Sequence, residues 1–277
     1  MNRDQCSTAS SSSLPTSDKD DVVDTEWKIS DFVCLEELYI SRARTIFKAR
    51  ENWSNELCVL KRISKSDSLN NNDHVQVERE LRIHSHLRHA NVIEMKAWFH
   101  DPEFIYMVTE LADLTVSDLI RTTYSSGIPE AIALPYIRDL IQGLSYLHSH
   151  NVVHRDLKPL NLFLKDSVLK IGDFGCSVHT VDMRKSVCGS VPYMSPEMVS
   201  LGVYSFPHDI WSLGVTVHEI LTGTLPFDGE SPIEIYRKIC KQSYSPSPLI
   251  STCFSDLILS CLDKSPENRK TISLINI

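Results

Sequence analysis

Two short stretches near the middle of the chain carry the side chains best suited to chemistry. The first contains Asp156, Lys158 and Asn161, and the second, which follows it closely, contains Asp173. Carboxylate and amide oxygens are ligands that Mg²⁺ prefers in proteins, and a lysine beside them can offset negative charge. Residues of these types suit phosphoryl transfer, which requires a protein mainly to position its reactants and to neutralise charge.

The order of the residues in these stretches is as informative as their types. The first reads H-R-D-L-K-P-L-N over residues 154–161, and the second reads D-F-G over residues 173–175. Together they resemble the catalytic and metal-binding loops of eukaryotic protein kinases. The resemblance implies that Asp156 accepts the proton of a substrate hydroxyl and that Lys158 offsets charge on the γ-phosphate of ATP. It also implies that Asn161 and Asp173 hold two Mg²⁺ ions.

The alternative is that these are polar turn residues after a buried strand, and other parts of the chain argue against it. Residues 56–63 form an apolar strand pattern that contains Lys61, and residues 74–89 show helical periodicity around Glu80. Both segments resemble the corresponding kinase elements. The resemblance implies that Lys61 contacts the α- and β-phosphates and that Glu80 holds its ammonium group in place. A solvated lysine and a helix-surface carboxylate are the alternatives.

The adenine-binding residues are also predicted from the resemblance. Residues 105–112 read as a strand that runs into a linker, and this segment is similar to the kinase hinge. Backbone groups of Glu110 and Ala112 are therefore expected to bind adenine, with Thr109 as the gatekeeper residue. Leu38 and Ile46, from the hairpin over residues 38–50, complete the predicted ATP-binding set.

That hairpin departs from the family pattern, in which it carries G-x-G-x-x-G-x-V. Counted back from Ile46, the three glycine positions hold Tyr39, Ser41 and Arg44. Replacing glycine where left-handed backbone is needed costs roughly 1–2 kcal/mol per residue. Arg42 and Arg44 are either a source of positive charge for the phosphates or solvated arginines at a strand edge.

Further residues are assigned by resemblance to regulation and to support of the catalytic loop. Ser186 follows two basic residues and is the expected activation-loop phosphosite, where a phosphate pairs with Arg155 and orders the loop. Asp209 is expected to hold the backbone of the catalytic loop. Glu197 and Arg269 are expected to form a buried ion pair.

Composition limits the class of protein and its surroundings. The 277 residues are 42% hydrophobic and carry a formal net charge of −8, which argues against nucleic acid as the main partner. The eight cysteines include no C-x-x-C pair or zinc-type spacing, and their scatter indicates thiols in a reducing compartment. No apolar run suits a signal peptide or a membrane span, so we expect an intracellular protein in the cytoplasm, the nucleus or both.

The expected fold is the α+β, bilobal protein-kinase fold. Residues 1–26 are rich in Ser and Asp and are predicted to be a disordered tail. Residues 27–111 are predicted to form an N-terminal lobe with a five-stranded antiparallel sheet and one helix. Residues 112–277 are predicted to form a mainly helical C-terminal lobe, so that 27–277 make one kinase domain. We expect a monomer without a membrane partner. Whether the protein has an activating protein partner is left open.

Several stretches are most similar to aurora kinases, including H-S-H-L-R-H over residues 84–89 and V-C-G-S over residues 187–190. The expected function is transfer of the γ-phosphoryl group of Mg-ATP to Ser and Thr hydroxyls of proteins, with an aurora-like role in mitosis and spindle control. The alternative is a pseudokinase scaffold whose nucleotide binding is weakened by the lost glycines. Leu160 replaces a glutamate that helps basophilic kinases to bind a substrate arginine, so a basic substrate motif is not expected. A small-molecule kinase on the same fold is the third and least favoured alternative.

Overall fold

The computed structural model describes residues 27–66, 71–180, 188–275 and 277. The predicted tail over residues 1–26 and the predicted phosphosite Ser186 lie outside these described residues. Within them, the chain forms a five-stranded antiparallel sheet with one helix, followed by a mainly helical body. The predicted α+β architecture is therefore confirmed, while the boundary between the lobes at residue 111 stays a prediction.

The sheet has the strand order β1-β2-β3-β5-β4. Each neighbouring pair is antiparallel. Its strands are β1 (Phe32–Ile40), β2 (Arg44–Glu51), β3 (Leu57–Ser64), β4 (Met95–His100) and β5 (Phe104–Glu110). Helix α1 (Asn71–His84) lies between β3 and β4 in the chain.

The two faces of the sheet carry different residues because side chains alternate along a strand. On the outer face, Phe47, Leu60 and Val108 belong to one buried apolar cluster. On the inner face, Ile63 and Met107 pack with residues of α1. Register then determines which residues face the cleft beneath the sheet: Ile46 pairs with Lys61, and Arg44 pairs with Ile63.

The helical body is built around a helix that is buried along nearly its whole length. The helices are α2 (Val116–Thr122), α3 (Glu130–Ser149), α4 (Pro196–Leu201), α5 (Phe206–Thr222), α6 (Pro232–Lys241) and α7 (Thr252–Cys261). Helix α5 contributes residues such as Trp211 and Leu213 to the largest apolar cluster. It ends at Gly223, whose left-handed φ of 69° allows the chain to leave the helix.

Short strands at the top of the body carry the candidate site. They are β6 (Leu114–Thr115), β7 (Val152–Val153), β8 (Leu162–Lys165), β9 (Val168–Ile171) and β10 (Val178–His179). Strands β6, β8 and β9 form one small sheet, and β7 pairs with β10 in another. The loops that leave β7 and β9 contain the H-R-D and D-F-G motifs. Among the described residues, no helix is both long and apolar enough to cross a membrane.

Candidate active site

The loop after β7 is held in place by one buried carboxylate. Asp209, near the start of α5, is 0% exposed and accepts hydrogen bonds from the backbone N–H groups of His154 and Arg155, each at 2.9 Å. His148 Nε2 donates to the same carboxylate at 2.9 Å. Burial tends to raise the pKa of Asp209, but the hydrogen bond and charge of His148 outweigh it and lower the pKa. The ionised carboxylate therefore holds two successive amides, and Arg155 takes a left-handed φ of 68°.

Asp156 projects from this loop into a group of hydrogen-bond donors. Its Oδ1 accepts from the backbone N–H of Ser190 at 2.9 Å, and its Oδ2 accepts from Lys158 Nζ at 2.7 Å and from Asn161 Nδ2 at 3.0 Å. Burial raises the pKa of Asp156, yet the Lys158 hydrogen bond and charge bring it below the ordinary value. The carboxylate is thus ionised near neutral pH and can accept a hydrogen bond from a hydroxyl.

Lys158 connects the catalytic loop to the segment that carries Ser190. Its Nζ donates to Asp156 Oδ2 and to Ser190 Oγ, each at 2.7 Å. Gly189 makes this approach possible: its φ is 108°, and a Cβ there would lie 2.5 Å from the Arg155 carbonyl oxygen. Any other residue at this position would separate the two segments, so the glycine fixes where the Ser190 hydroxyl meets Lys158.

Asp173 and Asn161 are the candidate metal ligands. Asp173 is exposed, has a φ of 58°, and its carboxylate accepts a long 3.4 Å hydrogen bond from the Gly175 N–H. Both described donor contacts of the Asn161 amide use Nδ2 and point to Asp156, which leaves its Oδ1 for another ligand. Mg²⁺ commonly takes one or two protein oxygens and completes its shell with water and phosphate. One carboxylate and one amide oxygen therefore fit Mg²⁺. In the described part of the chain, no three or more His, Cys, Asp or Glu side chains are grouped so that they could hold a metal ion.

An ion pair joins β3 of the sheet to helix α1. Lys61 Nζ lies 2.6 Å from Glu80 Oε1, and the two side chains are 14% and 4% exposed. Helix α1 is also tied to the D-F-G motif, since Gln76 Nε2 donates to the Gly175 carbonyl at 2.5 Å. The pair therefore positions the Lys61 ammonium group between the sheet and the motif.

Two lysines of the sheet formed by β6, β8 and β9 hold the end of β5 in place. The Glu110 carboxylate lies 2.8 Å from Lys165 Nζ and 2.9 Å from Lys170 Nζ, and it accepts from the Glu94 N–H at 2.9 Å. The Glu110 N–H is also in use, since it donates to the Glu94 carbonyl at 3.0 Å. Adenine binding by the Glu110 carbonyl and the backbone of Ala112 stays a prediction. Thr109, just before Glu110, is only half-buried.

The turn of the hairpin without glycines does not use the left-handed backbone that the sequence suggested. Tyr39, Ser41 and Arg44 all have negative φ, so the expected cost of left-handed backbone does not arise. Leu38 stands at an irregularity in the β1–β2 register and is 48% exposed. Ile46 is half-buried on the same face as Lys61. The hairpin thus supplies Ile46 to the cleft.

Comparisons with known proteins agree with this geometry. The protein kinase domain family matches residues 42–276. The chain belongs to the protein kinase family. The serine/threonine-protein kinase Aurora-1 of Arabidopsis thaliana is 36% identical over 248 residues, which cover 88% of this chain and 83% of that protein. Aurora kinase A-A of Xenopus laevis is 34% identical over 247 residues, which cover 88% of this chain and 60% of that protein. The chain is therefore a serine/threonine protein kinase that resembles aurora kinases, as the sequence predicted.

Two arginines that the sequence assigned to supporting roles, Arg155 and Arg269, each contact an aromatic or acidic side chain. The Arg155 guanidinium lies 4.2 Å from the centre of the Tyr204 ring, and its Nε donates to the Cys176 carbonyl. Arg269 forms two hydrogen bonds with Glu197, at 2.7 and 2.8 Å. The pairing of Arg155 with a phosphate on Ser186 stays a prediction, because Ser186 lies outside the described residues.

One covalent link was not expected from the sequence. Cys176 and Cys188 form a disulfide with a sequence separation of 12 residues, whereas the scattered cysteines predicted separate thiols. The link joins the segment after the D-F-G motif to the segment before Ser190. Neither C-x-x-C spacing nor another short-range pattern predicts this disulfide, because only the fold brings the two sulfur atoms together.

Other supporting residues also lacked a sequence signal. No motif in the sequence marks Lys165, Lys170 or Gln76 as residues that support the site. His84 lies in α1, and its ring contacts that of Phe174 at a tilt, with ring centres 4.5 Å apart. The His154 ring meets the Phe174 ring edge-on at 5.3 Å. His84 Nε2 donates to the Ile93 carbonyl at 2.7 Å. His84 therefore links helix α1 to both kinase motifs.

We expect His84 to make the folded kinase sensitive to mild acid. Burial lowers the pKa of His84 to about 4, from an ordinary value of 6.5. The unfolded chain therefore binds this proton between pH 6.5 and 4 while the folded chain does not, so stability falls as the pH drops through that window. For this one group, the free energy of unfolding should fall by about 2 kcal/mol between pH 7 and pH 5.

Urea unfolding of His84→Gln at the two pH values tests this expectation. The variant should lose less stability on acidification than wild type. The other buried histidines, including His218 with a pKa lowered to about 4 by burial, account for the remaining loss in both proteins. His86→Gln, at an exposed neighbour, is the matched control and should behave as wild type. Equal pH dependence of wild type and His84→Gln would refute this role.

Proposed function

We propose that this kinase is catalytically active and transfers the γ-phosphoryl group of Mg-ATP to Ser and Thr hydroxyls of proteins. One observation carries the proposal: the Lys61–Glu80 ion pair is closed at 2.6 Å while the catalytic loop keeps Asp156 in a hydrogen-bonded, ionised state. A folded scaffold that only binds partners has no need of either arrangement. Both are needed to position a nucleotide opposite a hydroxyl.

The roles of this chain's residues follow from their contacts. Asp156 orients the substrate hydroxyl and receives its proton, because its ionised carboxylate is fixed by Lys158 and Ser190. Lys158 offsets negative charge beside that carboxylate. Lys61, held by Glu80, binds the α- and β-phosphates, and the backbone of Glu110 and Ala112 binds adenine. Precise positioning matters, since a displacement of about 1 Å can cost on the order of 10²-fold in rate.

The cofactor sites are consistent with these roles. When bound, Mg-ATP supplies the γ-phosphoryl group together with metal charge that stabilises it. The Asn161 Oδ1 and the Asp173 carboxylate hold Mg²⁺ in this proposal. Leu38 and Ile46 contribute apolar surface from the hairpin to the nucleotide.

The pseudokinase alternative also has one observation in its favour. The hairpin closes on itself between Ser41 and Arg44, in place of a glycine loop that would surround phosphates. If this hairpin cannot hold the nucleotide, the catalytic residues have nothing to act on. Activity must therefore be measured directly.

Transfer of labelled phosphate from Mg-ATP to a generic Ser/Thr protein substrate tests the proposal. Wild type should label the substrate, and Asp156→Asn should lower the rate by at least about 10²-fold because it removes the proton acceptor. Thermal unfolding of both proteins serves as the control for folding. Equal, background labelling by a folded wild type and by Asp156→Asn would favour the pseudokinase.

The cellular role is proposed from the relatives. The similarity to aurora kinases implies a kinase of the cell cycle, with a role in mitosis and spindle control. Its partners would be protein substrates, with an activating protein as a further candidate, and the kinase would act as a monomer inside the cell, in the cytoplasm, the nucleus or both. Nucleic acid and membrane are not proposed as partners.

Leu160 indicates a substrate preference that differs from basophilic kinases. It lies between Lys158 and the metal ligand Asn161 and is 55% exposed, so it presents apolar surface beside the catalytic loop. Glu219 of α5 does not supply a carboxylate in place of the missing glutamate, because it accepts a 2.5 Å hydrogen bond from the Tyr193 hydroxyl. Burial also raises the pKa of Glu219. We therefore propose that arginine near the acceptor hydroxyl gives no advantage.

Leu160→Glu should create a preference for arginine. An exposed ion pair contributes up to about 1 kcal/mol, so kcat/KM for a serine peptide with arginine two or three residues before the serine should rise about fivefold relative to its alanine counterpart. Leu160→Gln, which is similar in size but uncharged, is the control and should show no such rise. A wild-type enzyme that already prefers the arginine peptide would contradict this substrate preference.

A further inference from the structure

The turn of the glycine-free hairpin uses up backbone groups that a glycine loop would offer to phosphate. The Ser41 N–H donates to the Arg44 carbonyl at 2.8 Å, and the Arg44 N–H donates to Ser41 Oγ at 3.1 Å. Both residues stand at glycine positions of the family pattern. Because neither adopts positive φ, the turn does not form the alternating backbone that makes an anion-binding concavity.

The side chain of Arg44 faces the cleft. In the β2–β3 register, Arg44 pairs with Ile63 and Ile46 pairs with Lys61. Residues two apart on a strand share a face, so Arg44, Ile46 and Lys61 all lie on the inner face of the sheet. At about 3.3 Å per residue, Arg44 stands roughly 7 Å beyond Ile46 toward the turn. At the other end of β3, Cys58 pairs with Glu110, so Arg44 lies beyond Lys61 when measured from the proposed adenine site.

The guanidinium group of Arg44 reaches the end of the cleft where the metal-binding motif lies. A Cβ placed on Gly175 would be 3.9 Å from Arg44 Nη1, 3.3 Å from Asp173 Oδ1 and 3.5 Å from Glu80 Oε2. The three groups therefore surround one small volume. Glu80 Oε2 is buried and has no hydrogen-bond partner among the described residues, so this volume contains polar groups whose bonding is incomplete.

Arg44 is available for a ligand in a way that the neighbouring Arg62 is not. Arg62 lies on the outer face, with its guanidinium 5.1 Å from the Phe47 ring centre and 4.8 Å from that of Phe104. The described hydrogen bonds of Arg44 all use its backbone. A half-buried guanidinium on the cleft face, without a described side-chain partner, suits an incoming anion.

We propose that the Arg44 guanidinium binds the terminal phosphates of the nucleotide and so replaces the backbone amides of a glycine loop. The inference rests on the proposed function, because it requires a nucleotide in the cleft. Guanidinium donors match phosphate oxygens in pairs and form charge-assisted hydrogen bonds. Arg44 binds the charged end of the nucleotide and contributes nothing to adenine or ribose, so its contribution depends on the number of phosphates.

Calorimetric titration of the full-length protein with ATP, ADP and adenosine, in the presence of Mg²⁺, tests the proposal without relying on activity. The informative variant is Arg44→Gly, which restores the glycine of the family. It should raise the Kd for ATP at least about tenfold, as expected for loss of a charge-assisted contact, and leave the Kd for adenosine within about twofold. Arg44→Lys should give an intermediate Kd for ATP.

Arg50→Ala is the matched control, because Arg50 is an exposed arginine at the other end of the same strand. It should bind ATP as wild type does, and thermal unfolding should show that each variant is folded. If Arg44→Gly binds ATP as tightly as wild type or more tightly, the inference is wrong and the backbone holds the phosphates. Equal loss of ATP and adenosine would also overturn it, since Arg44 would then only support the hairpin. A folded wild type that binds none of the three ligands would refute the proposed function itself.

Discussion

The conformation of the loop that carries the H-R-D motif depends on a single buried carboxylate, that of Asp209. A charged group without access to water is costly unless it is fully hydrogen-bonded, and Asp209 satisfies this requirement with His148 and two successive backbone amides. Those amides belong to His154 and Arg155, so the chain is forced through the left-handed conformation at Arg155. The direction of Asp156 follows from that conformation. Helix α5 thus determines, from the centre of the body, where the proposed proton acceptor stands.

A second set of contacts brings the sheet to this loop. The Lys61–Glu80 ion pair aligns helix α1 with β3, and the ring contacts of Phe174 with His84 and His154 align the same helix with the catalytic loop. At the other side of the cleft, Glu110 joins β5 to the lysines of β8 and β9. The nucleotide side and the hydroxyl side of the site are therefore positioned relative to each other by side chains of both parts. Arg44 extends this arrangement to the hairpin, where backbone amides are already used.

The sequence predicted the fold and the site wherever short-range patterns carry the information. The H-R-D and D-F-G motifs, the lone lysine of β3 and the periodicity of α1 each fit within one element, and the five-stranded sheet was expected from them. Contacts between distant residues were not predictable in this way. Glu110 and Lys165 are far apart in the chain, as are Gln76 and Gly175, and Cys176 meets Cys188 only through the fold. The hairpin was judged by its missing glycines, whereas the hydroxyl of Ser41 closes the turn with ordinary backbone.

The most direct test of this account is the effect of Asp209→Asn on catalysis and on nucleotide binding measured side by side. The amide keeps the size of the carboxylate but sets N–H groups against the N–H donors of the catalytic loop. Because the described hydrogen-bond partners of Asp209 lie in α3 and the H-R-D loop, and not in the five-stranded sheet, kcat should fall by at least about 10²-fold. The Kd for ATP should change by no more than about twofold, which would also show that the variant is folded. An Asp209→Asn protein with the wild-type kcat would contradict the claim that this carboxylate sets the catalytic geometry.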